Sequence, residues 1–97
     1  MITAGQPEEL DESLALIETH RSSGITLSTT VGIHPTRASQ HRLDDRMIAV
    51  AANDNRVRAI GECGLDYARL EHSPKDAQIS CFREHARLYH AVRKPLF

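Results

Sequence analysis

Apolar positions follow two different rhythms along this chain, and the alternation between them sets out the elements. Leu10, Leu14 and Ile17 recur at i, i+4 and i+7 and predict one apolar helical face. Gln6-Pro7-Glu8-Glu9 opens that helix, since Pro suits the first turn and acids favour its positive end. His20 and Arg21 lie near its other end, and Gly24 is a suitable stop. Before it, residues 1–5 are short and apolar and predict a buried strand. After it, residues 25–33 are rich in β-branched types and predict a second strand. His34-Pro35 ends that strand, because proline cannot donate to a sheet ladder. Beyond a polar loop, a helix is predicted from about 43 to 53 with Leu43, Met47, Val50 and Ala51 inward, closed by the turn Asn53-Asp54-Asn55. Val57-Arg58-Ala59-Ile60 begins a third strand that runs into Gly61-Glu62-Cys63-Gly64-Leu65-Asp66-Tyr67. Residues 68–73 are polar loop. Ser73 is then an N-cap with Pro74 at the first helical position of a third helix carrying Ile79, Phe82, Ala86 and Tyr89 along one face. That helix ends around Arg93, Lys94 and Pro95, and Leu96-Phe97 read as the start of a fourth strand.

Strands that alternate with helices of this length predict a parallel α/β sheet, because parallel strands need crossovers of about a dozen residues or more. Periodicity does not say whether such a sheet is open or closed. At 97 residues the chain is one domain at most, and its 26% charged residues and 40% apolar residues fit a soluble globular class. The net charge of −1 argues against binding nucleic acid by phosphate neutralisation alone, so any such contact is local or helped by a metal. Aromatics make up only 4%, which disfavours a base-stacking surface. Cys63 and Cys81 have neither CxxC nor zinc spacing and read as reduced thiols. No apolar run is long enough for a membrane span, and Met1-Ile2-Thr3-Ala4-Gly5 lacks the features of a signal peptide. The expected location is intracellular, cytoplasmic or nuclear, with no membrane association and no obligate protein partner.

The stretch from Gly61 to Tyr67 is the most informative, with two acids and two glycines directly after an apolar strand. In parallel α/β folds the carboxyl ends of the strands carry the active site. Glu62 there has the chemistry of a metal ligand or a general base, and Gly61 and Gly64 permit close backbone approach or positive φ. The plainer alternative is a capping or ion-paired carboxylate beside a turn. His34, at the tip of the preceding strand, is suited to metal or phosphate contact; the plainer alternative is a loop histidine. The pair says more than either residue, because neighbouring strands about 4.8 Å apart bring both tips to one mouth. Arg37 and Arg69, in loops at that mouth, are candidates to meet phosphate, against a reading as solvated surface. His20, His41, His72, His85 and His90 are assigned to structure or solvent.

The residues also carry a family signature. Val31-Gly-Ile-His-Pro35 resembles the Gly-x-His-Pro motif of the TatD DNase family, and Ala59-Ile-Gly-Glu-Cys-Gly-Leu-Asp-Tyr67 resembles its Gly-Glu-x-Gly-Leu-Asp motif. Pro74-Lys-Asp-Ala-Gln78, Phe82 and the helix to Lys94-Pro95-Leu96 resemble the family's next segment, and Met1, Thr3 and Gly5 resemble the second barrel strand. The Thr36-Arg37 and Arg69-Leu70 contexts look most like the eukaryotic branch.

The resemblance implies a partial TIM (β/α)8 barrel of the metal-dependent hydrolase superfamily. It amounts to about three βα units with parallel strands, barrel strands 2 to 4 and the start of 5, across residues 1–97. It implies DNA as substrate, phosphodiester hydrolysis, and one or two divalent cations (Mg²⁺, Mn²⁺ or Zn²⁺). Glu62 matches the glutamate that ligates the metal. His34 matches a histidine lining the same mouth, without direct coordination. Asp66 matches the aspartate of the motif, in a supporting or structural role. A full TIM barrel needs about 250 residues. The family's first strand, with its His-x-His, and the later histidines and aspartate are absent here. The expectation is therefore a fragment that is inactive alone and marginal or aggregation-prone, its sheet edges unpaired. Two other readings stand beside it: a related hydrolase acting on another ester or amide, and a truncated, non-enzymatic isoform or interaction fragment.

Overall fold

The computed structural model describes residues 1–97. Its elements are helix α1 (Pro7–Thr19), strand β1 (Thr29–Val31), helix α2 (Asp45–Asn53), strand β2 (Val57–Ile60) and helix α3 (Lys75–Val92). One-turn 3₁₀ helices, Pro35–Arg37 and Tyr67–Arg69, come after the two strands. β1 and β2 pair in parallel, with an irregularity after Thr29 that leaves Arg58 without a ladder partner. A single parallel bridge joins Ile2 to Thr29 on one side, and another joins Ile60 to Leu96 on the other. Four parallel segments thus lie in chain order, linked by the three helices, the first and the last each making a single bridge rather than a strand.

Two of the helices start where the sequence supplies a substitute for the missing backbone partner. α1 has Pro7 at its first position, and the Glu9 carboxylate accepts the Gly5 N–H at 2.7 Å. At α2 the Asp44 carboxylate accepts the Met47 N–H at 2.8 Å. At the far end of α3, Arg93 takes a left-handed conformation and closes the helix. Leu10, Met47, Ala51 and Leu88 from the helices pack with Val31, Val57 and Ile60 from the strands and with Ile33 just beyond β1 in one core.

The structure corrects the sequence reading in four places. Residues 1–5 make one bridge rather than a full strand. The second strand is confined to Thr29–Val31, because β2 offers ladder partners only from Val57 to Ile60 and Ile25 lies 66% exposed with nothing to pair against. Ser73 does not cap α3. Its hydroxyl accepts the Ser39 N–H at 3.0 Å, and Pro74 occupies the cap position. Finally, the buried face of α3 is Gln78, Cys81, His85 and Leu88, not Ile79, Phe82, Ala86 and Tyr89. The offset of one residue turns the face by about 100°.

Two polar residues cause that rotation. The His85 Nε2 accepts the Ile33 N–H at 2.8 Å, and its Nδ1 donates to the Cys81 carbonyl at 2.8 Å. The Gln78 amide accepts the Asp66 N–H at 2.6 Å and donates to the carbonyls of Asp66 at 3.1 Å and Ser73 at 2.9 Å. Both side chains are fully buried because they satisfy backbone groups that have no sheet partner.

Candidate active site at the strand tips

At the carboxyl end of the sheet, the backbone ties three strand tips together. The His34 N–H donates to the Gly5 carbonyl at 2.8 Å, and the Glu62 N–H donates to the Ala4 carbonyl at 3.1 Å. The Gly61 N–H donates to the Val31 carbonyl at 2.7 Å. Gly61 has φ +153°, and a Cβ there would collide with the Phe97 carbonyl of the adjoining segment. Only glycine lets the fourth segment approach this closely. Gly64 also has positive φ, at +136°, so both motif glycines adopt the conformation their type permits.

Gly5, Glu9, His34, Thr36, Arg37 and Glu62 line a hollow of about 240 Å³ with no hydrophobic wall. From the point a Cβ would take on Gly5, the His34 Cβ lies 3.0 Å away, and Glu62 Oε1 and Glu9 Oε2 each 3.5 Å away. Glu62 and His34 therefore share one mouth, as the strand-tip argument expects, and Arg37 joins them. Asp66 does not line this hollow. Its carboxylate pairs with Arg69 at 2.6 Å, and its backbone is held by Gln78. Glu9 is the residue of the mouth that sequence reasoning misses. Its position in the first turn of α1 is explained by the helix dipole, so no separate signal points to it.

The histidine is held in a defined orientation. The Thr36 N–H donates to His34 Nδ1 at 3.2 Å, and the Thr36 hydroxyl lies 2.7 Å from the same nitrogen. An accepting Nδ1 carries no proton, so the neutral ring carries its hydrogen on Nε2. His34 thus offers an N–H rather than a lone pair, which suits an anion or water and not a cation. The Glu62 carboxylate makes no hydrogen bond or ion pair with the protein and is partly exposed. Burial pushes the neighbouring Cys63 thiol up to about 11.

The donor set decides how far a cation fits. Glu62 is a free carboxylate, Glu9 accepts from the Gly5 N–H at one oxygen and from the Gln6 side-chain amide at the other, and His34 has the wrong tautomer. No group of three His, Cys, Asp or Glu side chains is placed to hold a metal. Glu62 fits as a single ligand.

Comparison with known proteins places this arrangement. Residues 1–97 match a family model described as TatD related DNase. The chain belongs to this family. It is similar to the deoxyribonuclease Tat-D of Schizosaccharomyces pombe, with 32% identity over 100% of this chain and 33% of that protein. It is 49% identical to the TATDN1 homolog of Encephalitozoon cuniculi over 57% of this chain and 20% of that one. The crystal structure of a TatD family hydrolase from Entamoeba histolytica superposes with TM-score 0.82 and 33% identity, over 94% of this chain and 32% of the other. The four parallel segments and their helices are therefore an arc of a TatD TIM barrel, and the chain spans about a third or less of the length of these relatives.

Proposed function

We propose that this TatD-family chain contributes Glu62 and His34 to a metal-assisted hydrolysis of phosphodiester bonds in DNA. The observation that carries the reading is the Glu62 carboxylate, unpartnered at a strand tip, in the same polar hollow as an N–H presented by His34. The S. pombe relative is named a deoxyribonuclease, which supports nucleic acid as the substrate class. A divalent cation bound there would polarise a phosphoryl oxygen and offset charge developing on it. Glu62 would hold that cation from one side. His34, through Nε2–H, would donate to a phosphoryl oxygen or to the attacking water and fix its orientation. Glu9 keeps the Gly5 turn in place, and that turn accepts the His34 N–H.

Catalytic cation sites use about three protein ligands, and this hollow supplies one. In the proposal the others come from strands of a family-length protein. The 97 residues assayed alone are therefore expected to show no hydrolysis of labelled DNA in Mn²⁺. The decisive test grafts this segment into the S. pombe deoxyribonuclease in place of the matching third. The graft is expected to cleave DNA, and Glu62→Gln within it to lose at least about 100-fold in kcat, the size of effect seen when a transition-state charge stabiliser is removed. A folded Glu62→Gln graft with unreduced cleavage overturns the proposal.

A further inference from the structure

The two strand-to-helix connections fold alike, and a second polar cleft lies between them. Each has a 3₁₀ turn that ends in arginine, Arg37 in one and Arg69 in the other. In each, the N–H three residues further on returns to that arginine's carbonyl: Gln40 to Arg37 at 3.0 Å, and His72 to Arg69 at 3.2 Å. The two connections are pinned together. The Ser73 hydroxyl, fully buried, accepts the Ser39 N–H at 3.0 Å, while the Ser39 hydroxyl donates to the His72 carbonyl at 3.0 Å. The cleft that results, about 170 Å³, is lined by Thr36, Arg37, Gln40, Arg69 and His72 and has no hydrophobic wall. It shares Thr36 and Arg37 with the Glu62 hollow.

Its free donors are suited to an anion. The Arg37 guanidinium makes no hydrogen bond or ion pair within the protein. Arg69 uses only Nη1 on Asp66, which leaves its other N–H donors free. His72 lies 3.8 Å from Glu71, and with His72 neutral the acids Asp66 and Glu71, which flank the cleft without lining it, balance the formal charge of Arg37 and Arg69. Gln40 and Thr36 add neutral polar groups. A guanidinium fork of this kind matches the tetrahedral oxygens of a phosphate diester.

We infer that this cleft is a phosphate subsite that grips the DNA strand one step along from the reacting phosphodiester. Arg37 stands at the junction and can bridge both. The inference rests on the DNA-hydrolysis reading for its ligand, but it assigns binding to Gln40, Arg69 and His72, outside the Glu62 hollow, together with Thr36 and Arg37, which the two sites share.

The test is fluorescence anisotropy of a labelled single-stranded oligonucleotide with this chain in EDTA, so that no cation contributes. Arg37→Ala is expected to raise Kd about tenfold, the loss for one charge-assisted contact, and to reduce the salt slope by about one. His72→Ala is expected to weaken binding to a smaller degree. Millimolar inorganic phosphate is expected to compete with the wild type more than with Arg37→Ala. Arg46→Ala, at a position lining neither the cleft nor the Glu62 hollow, is expected to leave Kd within about twofold, and because the measurement is made in EDTA a hydrolysis reading that fails in the graft does not touch this result. An Arg37→Ala chain with native circular dichroism, unchanged Kd and unchanged salt slope overturns the inference. So does a wild type that binds no oligonucleotide at low salt.

Discussion

The mouth around Gly5, His34 and Glu62 and the seam where α3 lies against β2 and the turn that follows β1 both rest on a histidine, and they use it in opposite ways. His34 and His85 serve adjacent backbone positions, since His85 accepts the N–H of Ile33. In the seam, His85 is fully buried with both ring nitrogens engaged, Nε2 as acceptor and Nδ1 as donor. At the mouth, His34 is partly exposed, accepts at Nδ1 and leaves Nε2–H free. One ring is used up in holding the fold; the other is held by the fold with a hydrogen to spare. Carboxamide and carboxylate divide similarly. Gln78 commits its amide to three backbone partners, whereas Glu62 commits its carboxylate to none.

The division predicts that mouth variants change chemistry and leave stability alone, and that seam variants do the reverse. The largest effect is the loss of about 100-fold or more expected of Glu62→Gln in the graft, with a urea midpoint close to wild type. A large fall in the midpoint would mean that Glu62 is a structural residue. Next comes His85→Ala. It strands the Ile33 N–H and opens a cavity under α3, so it is expected to cost about 2–4 kcal/mol in urea unfolding. An unchanged midpoint would remove His85 from the seam.

The smaller effect is one of pH. Burial holds His85 below the ordinary histidine range, because the charged ring would lose its solvation. The unfolded chain takes up that proton near about pH 6.5, the native chain only further down. Stability from the neutral ring is therefore complete above about pH 6.5 and is lost as pH falls below it towards the native pKa. Wild type is expected to lose stability from about pH 7 to about pH 5 more steeply than His85→Ala does. Parallel slopes for the two would contradict the assignment.

The same comparison shows which parts are legible in the chain. Glu62 and His34 can be read because a strand tip after an apolar run is a position with known consequences, and because Gly61 and Gly64 mark the turn. The element order, α1, α2 and β2 emerge from periodicity and caps. The seam is misread when apolar type is the guide to burial. Gln78 and His85 are polar by type, yet they are buried by partners at Ile33, Asp66 and Ser73, two of them distant in sequence. Ser73 reads as a local cap for the same reason, its true partner being Ser39. Glu9 belongs wholly to its own helix by sequence, since only the folded chain brings it to the Gly5 turn beside Glu62.

The central claim is that Glu62 is the cation-facing group of this mouth, and paramagnetic broadening tests it without requiring turnover. In ¹H–¹⁵N spectra of the graft, where the remaining ligands are present, substoichiometric Mn²⁺ is expected to broaden the amides of Gly5, His34 and Glu62 while sparing Val57 and Arg46, and Glu62→Gln is expected to abolish the effect. Broadening centred elsewhere, or persisting unchanged in Glu62→Gln, would contradict it.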